Sequence, residues 1–285
     1  MEWIERLNSA MDYIEEHLTD SIDYEQLGRI ACCSAYHFQR MFTYMAGVTL
    51  SEYIRRRKMS LAAVDLQGGD VKIIEIAGKY GYNSPTAFNR AFQAIHGIAP
   101  SAVRSEGVSV KSFPPLTFKI TIKGAEEMNY RIETKDAFRI IGVSSPLHQE
   151  IEENFAIVPQ MWQNAVANGT LEKLAGLMDA QPMGILGVSA CNEESEWKYF
   201  IAVSSTKTDA GLEEYIVPAA TWAIFPGTGT NLSVQDLEQR IVTEWLPTSG
   251  YEYANAPDIE VYLNPDPQNA QYEVWIPVVK CSDKK

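Results

Sequence analysis

Two short polar stripes near the start of the chain carry side chains suited to recognising another molecule by hydrogen bonding. Tyr36, Gln39, Arg40 and Thr43 recur at helical spacing, and so do Thr86, Asn89, Arg90 and Gln93. An arginine fork pairs with guanine, a Gln or Asn amide with adenine, and an aromatic ring covers a thymine methyl. Each stripe follows a serine, Ser34 or Ser84, placed to cap a helix and expose amides that can meet a phosphate. A different chemistry lies downstream. Strand alternation over Asp258 to Leu263 puts Asp258, Glu260 and Tyr262 on one side and Ile259, Val261 and Leu263 on the other. A carboxylate among aromatic rings suits a lipophilic cation, held by charge pairing and cation–π contact. Glu260 and Tyr262 are the candidate seat, with Trp222, Trp275 and Tyr199 as candidate walls.

Catalytic and metal chemistry have weaker sequence support. His17, His37, His96 and His148 fall in no metal-binding spacing, and no GxSxG elbow is present. Cys32, Cys33, Cys191 and Cys281 show no CxxC pair. Gly227 to Leu232 lacks the third glycine and the βαβ setting of a nucleotide loop. The expectation is therefore no metal, no cofactor and no catalytic set. One enzymatic alternative survives, a small-molecule hydrolase with Glu260 as general base.

The stripes need helices to present them. Phe38, Met41, Phe42 and Met45 back the first, and Phe88, Phe92 and Ile95 back the second. Before each lies a shorter helical stretch with a tight turn, so that Phe38, Arg40, Phe42 and Gly47 return as Phe88, Arg90, Phe92 and Gly97. Two helix-turn-helix units are predicted, each placing its second helix in a DNA major groove. A helix from Ser51 to about residue 66, roughly 24 Å long, joins them. Its run Arg55-Arg56-Arg57-Lys58 wraps all sides, so at most half can face DNA; Arg55 joins the candidate contacts. A further helix is predicted over 2–18, making residues 1–106 an all-α domain.

Residues 107–127 read as a linker with one strand at Thr117 to Ile122. From 128 to 285 the pattern predicts strands at 130–133, 138–143, 184–190, 197–204, 214–217, 221–225, 258–263 and 272–278, with helices at 151–167 and 233–245. The order strand, helix, strand, strand occurs twice, which implies an α+β domain whose antiparallel sheet comes from two pseudo-repeated β-α-β-β units.

Charge separates the same two parts. The net charge is −13, yet residues 26–105 hold 10 basic and 4 acidic groups, a net of +6, while residues after 105 hold 13 basic and 25 acidic, a net of −12. A basic reader of double-stranded DNA is thus joined to an acidic module. The amphipathic, acidic N-terminus argues against a signal or transit peptide, and no apolar run reaches membrane-spanning length. A cytoplasmic location without membrane attachment is the expectation.

The segments Ser34 to Phe42, Tyr53 to Met59, Ile76-Ala77, Tyr80-Gly81-Tyr82, Phe88 to Phe92 and Gly97 to Pro100 together resemble the DNA-binding domain of AraC/XylS-family transcription regulators. The resemblance implies base reading by Tyr36, Gln39 and Arg40 in one helix and Thr86, Asn89 and Arg90 in the other, and contact with RNA polymerase. The chain departs at Cys32, where many relatives have glycine, and at Thr49-Leu50, where the second copy has Ala99-Pro100. Residues 128–278 resemble the gyrase-inhibitor-like effector domain of Rob-like regulators through Ala137 to Gly142, Trp245-Leu246-Pro247, Asp258 to Tyr262 and Trp275 to Val278. That likeness implies a small-molecule effector, cationic and held by a buried Glu on this strand. The alternative gives this half a protein partner.

Overall fold

The computed structural model describes residues 3–69, 71–105, 107–119, 127–148, 151–191, 197–264 and 269–280. The chain divides into two compact units, Met1–Ile120 and Thr121–Lys285.

The first unit is helical. Helix α1 (Trp3–Glu16) buries Leu7, Met11 and Ile14 at the spacing of an amphipathic helix. Asp23 caps α2 (Tyr24–Ala31), Ser34 caps α3 (Ala35–Ala46), and Thr49 rather than Ser51 caps α4 (Leu50–Gln67). The second pair is α5 (Ile73–Lys79) and α6 (Pro85–His96), the latter capped by Ser84 with Pro85 in its first turn. One apolar core joins Met59, Ala63 and Leu66 of α4 to Ile76, Phe88, Phe92 and Ile95.

The segment after the short 3-10 turn Pro100–Arg104 packs back as an extended strap, not as a free linker. The Lys111, Phe113, Leu116 and Phe118 amides donate to His96 Nδ1, Ser60 Oγ, the Tyr53 hydroxyl and Asn8 Oδ1 at 3.1, 2.9, 3.1 and 2.8 Å. Those partners sit on α6, α4, α4 and α1. The strand expected from Thr117 is absent over Thr117 to Lys119, because side chains of α1 and α4 already satisfy the strap's amides; residues 120–122 lie outside the described residues.

The second unit holds β1 (Arg131–Lys135), β2 (Phe138–Pro146), α7 (Ile151–Ala167), α8 (Thr170–Leu177), β3 (Ile185–Cys191), β4 (Trp197–Ser204), β5 (Glu213–Val217), β6 (Ala220–Gly229), α9 (Asn231–Arg240), β7 (Tyr251–Tyr253), β8 (Asp258–Asn264) and β9 (Ala270–Lys280). A wider turn, Ile241–Trp245, continues α9. The strands order as β1-β6-β9-β8-β3-β4-β2-β5, with β7 paired to β9, and every pairing is antiparallel.

Only Asp136 and Ala137 separate β1 from β2, although these strands lie near opposite edges of the order. The sheet must therefore curl until its edges approach at that end. The inner face is closed by Leu186, Val188, Phe200, Trp222, Ile259, Val261 and Trp275. The other face carries α7 and α8 over β3 and β4, and α9 over β6 and β9. Strand β8 runs between these two covered regions.

Candidate functional site

In the first helix pair, Gly28 permits direct backbone contact. A Cβ there would lie 2.7 Å from both the Ala35 nitrogen and the Cys33 oxygen, so α2 meets the start of α3 only because residue 28 has no side chain. The turn then puts Cys32 at φ 57°, while the turn between α5 and α6 puts Gly81 at φ 82°. Both turns require a left-handed residue; Gly81 adopts it freely and Cys32 under steric strain.

Ser34 Oγ accepts from the His37 amide and Ser84 Oγ from the Ala87 amide, each at 3.1 Å. On α6, Thr86, Arg90 and Gln93 are exposed and Asn89 is half-buried beside them. On α3, Tyr36, Arg40 and Thr43 are half-buried, and the Arg40 guanidinium lies 5.9 Å from the Tyr44 ring centre. Gln39 departs from its expected place on the reading face, being only 3% exposed. Each residue turns a helix by about 100°, which sets Gln39 beside Ala35 and Phe42 at the margin of the buried arc.

The basic run on α4 is divided as its periodicity requires. Arg55 is exposed and pairs with Glu52, as does Arg56 at 2.5 Å. Arg57 is buried, pairing with Glu15 at 2.6 Å. Its guanidinium also donates to the Phe113 carbonyl of the strap. The Tyr53 hydroxyl donates to the same Glu15 at 2.6 Å, and burial followed by the Glu15 hydrogen bond pushes its pKa above the usual phenol range. Burial also lowers Lys58, whose ammonium donates to the Tyr80 carbonyl at 3.4 Å. His96 Nδ1 accepts from Lys111, so Nε2 carries the proton donated to the Met59 carbonyl at 3.1 Å; burial holds this imidazole below its ordinary pKa.

In the second unit, the face of β8 that meets the helices carries Glu260 and Tyr262. The Tyr262 hydroxyl donates to Glu260 Oε2 at 2.8 Å, and Tyr199 on β4 donates to the same oxygen at 3.3 Å. Trp162 on α7 donates from Nε1 to the Tyr199 oxygen at 3.0 Å and sets its ring edge-on to Tyr262, with centroids 5.0 Å apart. Gly187 makes the convergence possible, since a Cβ there would lie 2.3 Å from the Tyr199 oxygen and 3.0 Å from Glu260 Oε2. Burial, then the Glu260 charge, raises the Tyr262 pKa far above the phenol range, so its proton stays on the hydroxyl.

Trp222 and Trp275 do not join this group. They pack 6.0 Å apart between centroids in the core on the opposite sheet face, because Ile224 is registered against Trp275, which is registered against Ile259 rather than Glu260. Trp162 and Gly187 were missed in their place. A glycine within the apolar run Ile185 to Val188 is the signal that marks a close approach. Among the described residues, no group of His, Cys, Asp and Glu could hold a metal, and no helix is long and apolar enough to cross a membrane.

These two arrangements, a duplicated helix-turn-helix and a sheet bearing an aromatic-lined carboxylate, define a DNA-binding transcription regulator with a separate effector domain. Family comparison agrees: residues 27–106 match a helix-turn-helix domain and residues 128–279 match the GyrI-like small molecule binding domain. The chain belongs to the AraC/XylS-type regulators with a GyrI-like domain, in a Rob-like arrangement. It is 24% identical to the transcriptional regulator Rob of Salmonella typhimurium over 95% of this chain and 97% of Rob. The first unit is 35% identical to the HTH-type transcriptional activator AarP of Providencia stuartii, over 34% of this chain and 73% of AarP. It is 30% identical to the multiple antibiotic resistance protein MarA of Escherichia coli, over 37% of this chain and 84% of MarA.

Proposed function

We propose that α3 and α6 enter successive major grooves of a promoter site, and that the sheet unit senses a lipophilic cation at Glu260. The observation that carries the sensor reading is the convergence of two tyrosine hydroxyls on Glu260 Oε2, with Trp162 hydrogen-bonded to one of those tyrosines and edge-on to the other. It supplies an anionic seat with π faces around it. Two phenolic donors already occupy that oxygen, which suits a fixed counter-ion better than a base that must take a proton from water.

The reading half rests on Thr86, Asn89, Arg90 and Gln93 of α6 and on Tyr36, Arg40 and Thr43 of α3. The caps Ser34 and Ser84 and the exposed Arg55 meet phosphates. Helix α4, 18 residues or about 27 Å long, is the spacer between the two heads. RNA polymerase is the protein partner, recruited or blocked at the promoter, and the protein works in the cytoplasm without catalysis. The orders β2-α7-α8-β3-β4 and β6-α9-β7-β8-β9, which differ by the second helix of one half and the three-residue β7 of the other, support with the β3–β8 pairing a duplicated unit whose seam holds the seat.

The experiment titrates tetraphenylphosphonium into the full chain bound to a selected operator, alongside Glu260→Gln. The cation should shift operator affinity for the wild type and not for the variant. Equal shifts in both proteins, or none in either, would remove Glu260 as the sensor.

A further inference from the structure

Cys32 and Cys33 are adjacent in the turn between α2 and α3, and neither takes part in the function proposed above. Cys32 is exposed, Cys33 is half-buried, and neither is in a disulfide. The backbone that carries them is pinned. The Cys32 amide donates to the Arg29 carbonyl at 3.3 Å and the Cys33 amide to the Gly28 carbonyl at 2.9 Å, while Ser34 caps α3 one residue on. Cys32 also holds the left-handed φ of 57° that a glycine fills in the other turn, so a thiol is kept where glycine would be easier. An outlier of this kind points to a use for the side chain.

The spacing of the pair limits that use. The peptide between the two residues is trans, which sets their Cα atoms about 3.8 Å apart, short of the roughly 4.4–6.8 Å that a disulfide spans. A direct S–S bond is therefore disfavoured, whereas a bridge through one inserted atom lets the sulfurs stand further apart. Two soft sulfur ligands select a soft, thiophilic centre. Tetrahedral zinc needs four ligands, and among the described residues no three His, Cys, Asp and Glu side chains come together to hold a metal. The centre must be complete with two sulfurs. A trivalent arsenical with one organic substituent meets that condition, because its third bond is already made.

We propose that Cys32 and Cys33 form a dithiol site for monoorganic trivalent arsenicals, and that its occupation stops α3 from reading DNA. An arsenoso group, R–As=O, reacts with both thiols: two As–S bonds form, the As=O bond breaks, and the two thiol protons leave with the oxygen as water. No oxidation state changes, so no oxidant or reductant is needed. The loss of reading rests on the assignment of α3 to a major groove. A recognition helix meets DNA by its N-terminal residues, and the chelate stands on the two residues before the Ser34 cap, where its organic substituent competes with the phosphate backbone.

The test adds one equivalent of phenylarsine oxide to the reduced full chain and follows the adduct by mass spectrometry and operator binding on the same sample. The wild type should gain one phenylarsenic group with loss of one water, the mark of two thiols on one arsenic, and its operator affinity should fall by about tenfold or more. Excess 2,3-dimercaptopropanol should reverse both changes, and 2-mercaptoethanol at the same thiol concentration should reverse neither. Cys32→Gly and Cys33→Ser should lose the dehydrated adduct and keep their operator affinity within about twofold on treatment. Cys32→Gly relieves the backbone at that position, so it serves if Cys33→Ser folds poorly. A dehydrated adduct that persists in both variants, or none in the wild type, overturns the site. An adduct lost in both variants that leaves wild-type operator affinity unchanged overturns the block on reading. Failure of the untreated wild type to bind any selected operator overturns the α3 assignment instead, and the mass reading still decides the dithiol.

Discussion

The two helix-turn-helix pairs are braced by the same chemistry in different surroundings. In the first, Tyr53 and Arg57 converge on Glu15, with the Arg57 side chain 8% exposed. In the second, Tyr80 and Lys79 converge on Asp65, with the Lys79 side chain 48% exposed. An exposed pair contributes under about 1 kcal/mol, whereas breaking a buried one costs about 3–5 kcal/mol because the partner is left desolvated. The first pair is therefore held by buried polar contacts among α1, α4 and the strap, and shows less of its polar face. The second is held by its apolar core and by the buried His96 bridge to Met59 and Lys111, without a buried ion pair at its brace, and offers α6 more openly.

Breaking the buried brace should produce the largest effect. Arg57→Ala leaves Glu15, the Tyr53 hydroxyl and the Phe113 carbonyl without their cation and should cost about 3–5 kcal/mol in urea unfolding. A loss below about 1 kcal/mol would make the two braces equivalent. Next, Arg40→Ala and Arg90→Ala should each weaken binding to a selected operator by about 1–3 kcal/mol, with the larger loss at the more exposed Arg90. If neither changes affinity, the recognition helices are assigned to the wrong faces.

Acid should act on the second pair through His96. Its folded pKa is depressed, so below the ordinary value of 6.5 the unfolded chain takes up a proton that the folded chain refuses. Stability is complete above 6.5 and falls as pH drops toward the folded pKa. Urea midpoints at pH 7.5 and 5.5 should differ less in His96→Gln than in the wild type; equal differences would place no acid sensitivity at His96. The smallest expected effect belongs to the turns. Cys32→Gly should stabilise by about 1 kcal/mol and Gly81→Ala destabilise by a similar amount, and the opposite signs would show that the turns differ in more than the residue at the left-handed position.

Much of this was legible in the sequence where one face of an element is wet. The recurrence of Phe38, Arg40 and Phe42 at 88, 90 and 92 located α3 and α6 because a surface helix separates its polar and apolar residues. Gln39 was misplaced because a polar residue at the margin of a buried arc has the same spacing as one on the open face. The main strands were found within a few residues, but β7, three residues long, exists only through its pairing with β9. Helix α8 was missed because eight residues, about two turns, leave only Leu171, Leu174 and Leu177 after Gly169 as its periodic signal. The tryptophans could not be sorted because both sheet faces are buried: Ile185 to Ala190 shows no wet side, so alternation divides residues into two sets without saying which set lies under the helices. Glu260 was singled out by the alternation of Asp258, Glu260 and Tyr262 against Ile259, Val261 and Leu263 together with the effector-domain resemblance; the two tyrosine hydroxyls that meet its carboxylate come from the structure.

The strap reaches α1, α4 and α6 through its own backbone, so the distance between the two heads is fixed within the folded unit. On the proposed reading, in which α3 and α6 both enter major grooves, an operator that does not present its grooves at that distance must itself yield. Sequence selection then extends to bases that no side chain touches: pliant pyrimidine–purine steps between the half-sites will be favoured over stiff A-tracts, since the elastic work of matching the protein is smaller there.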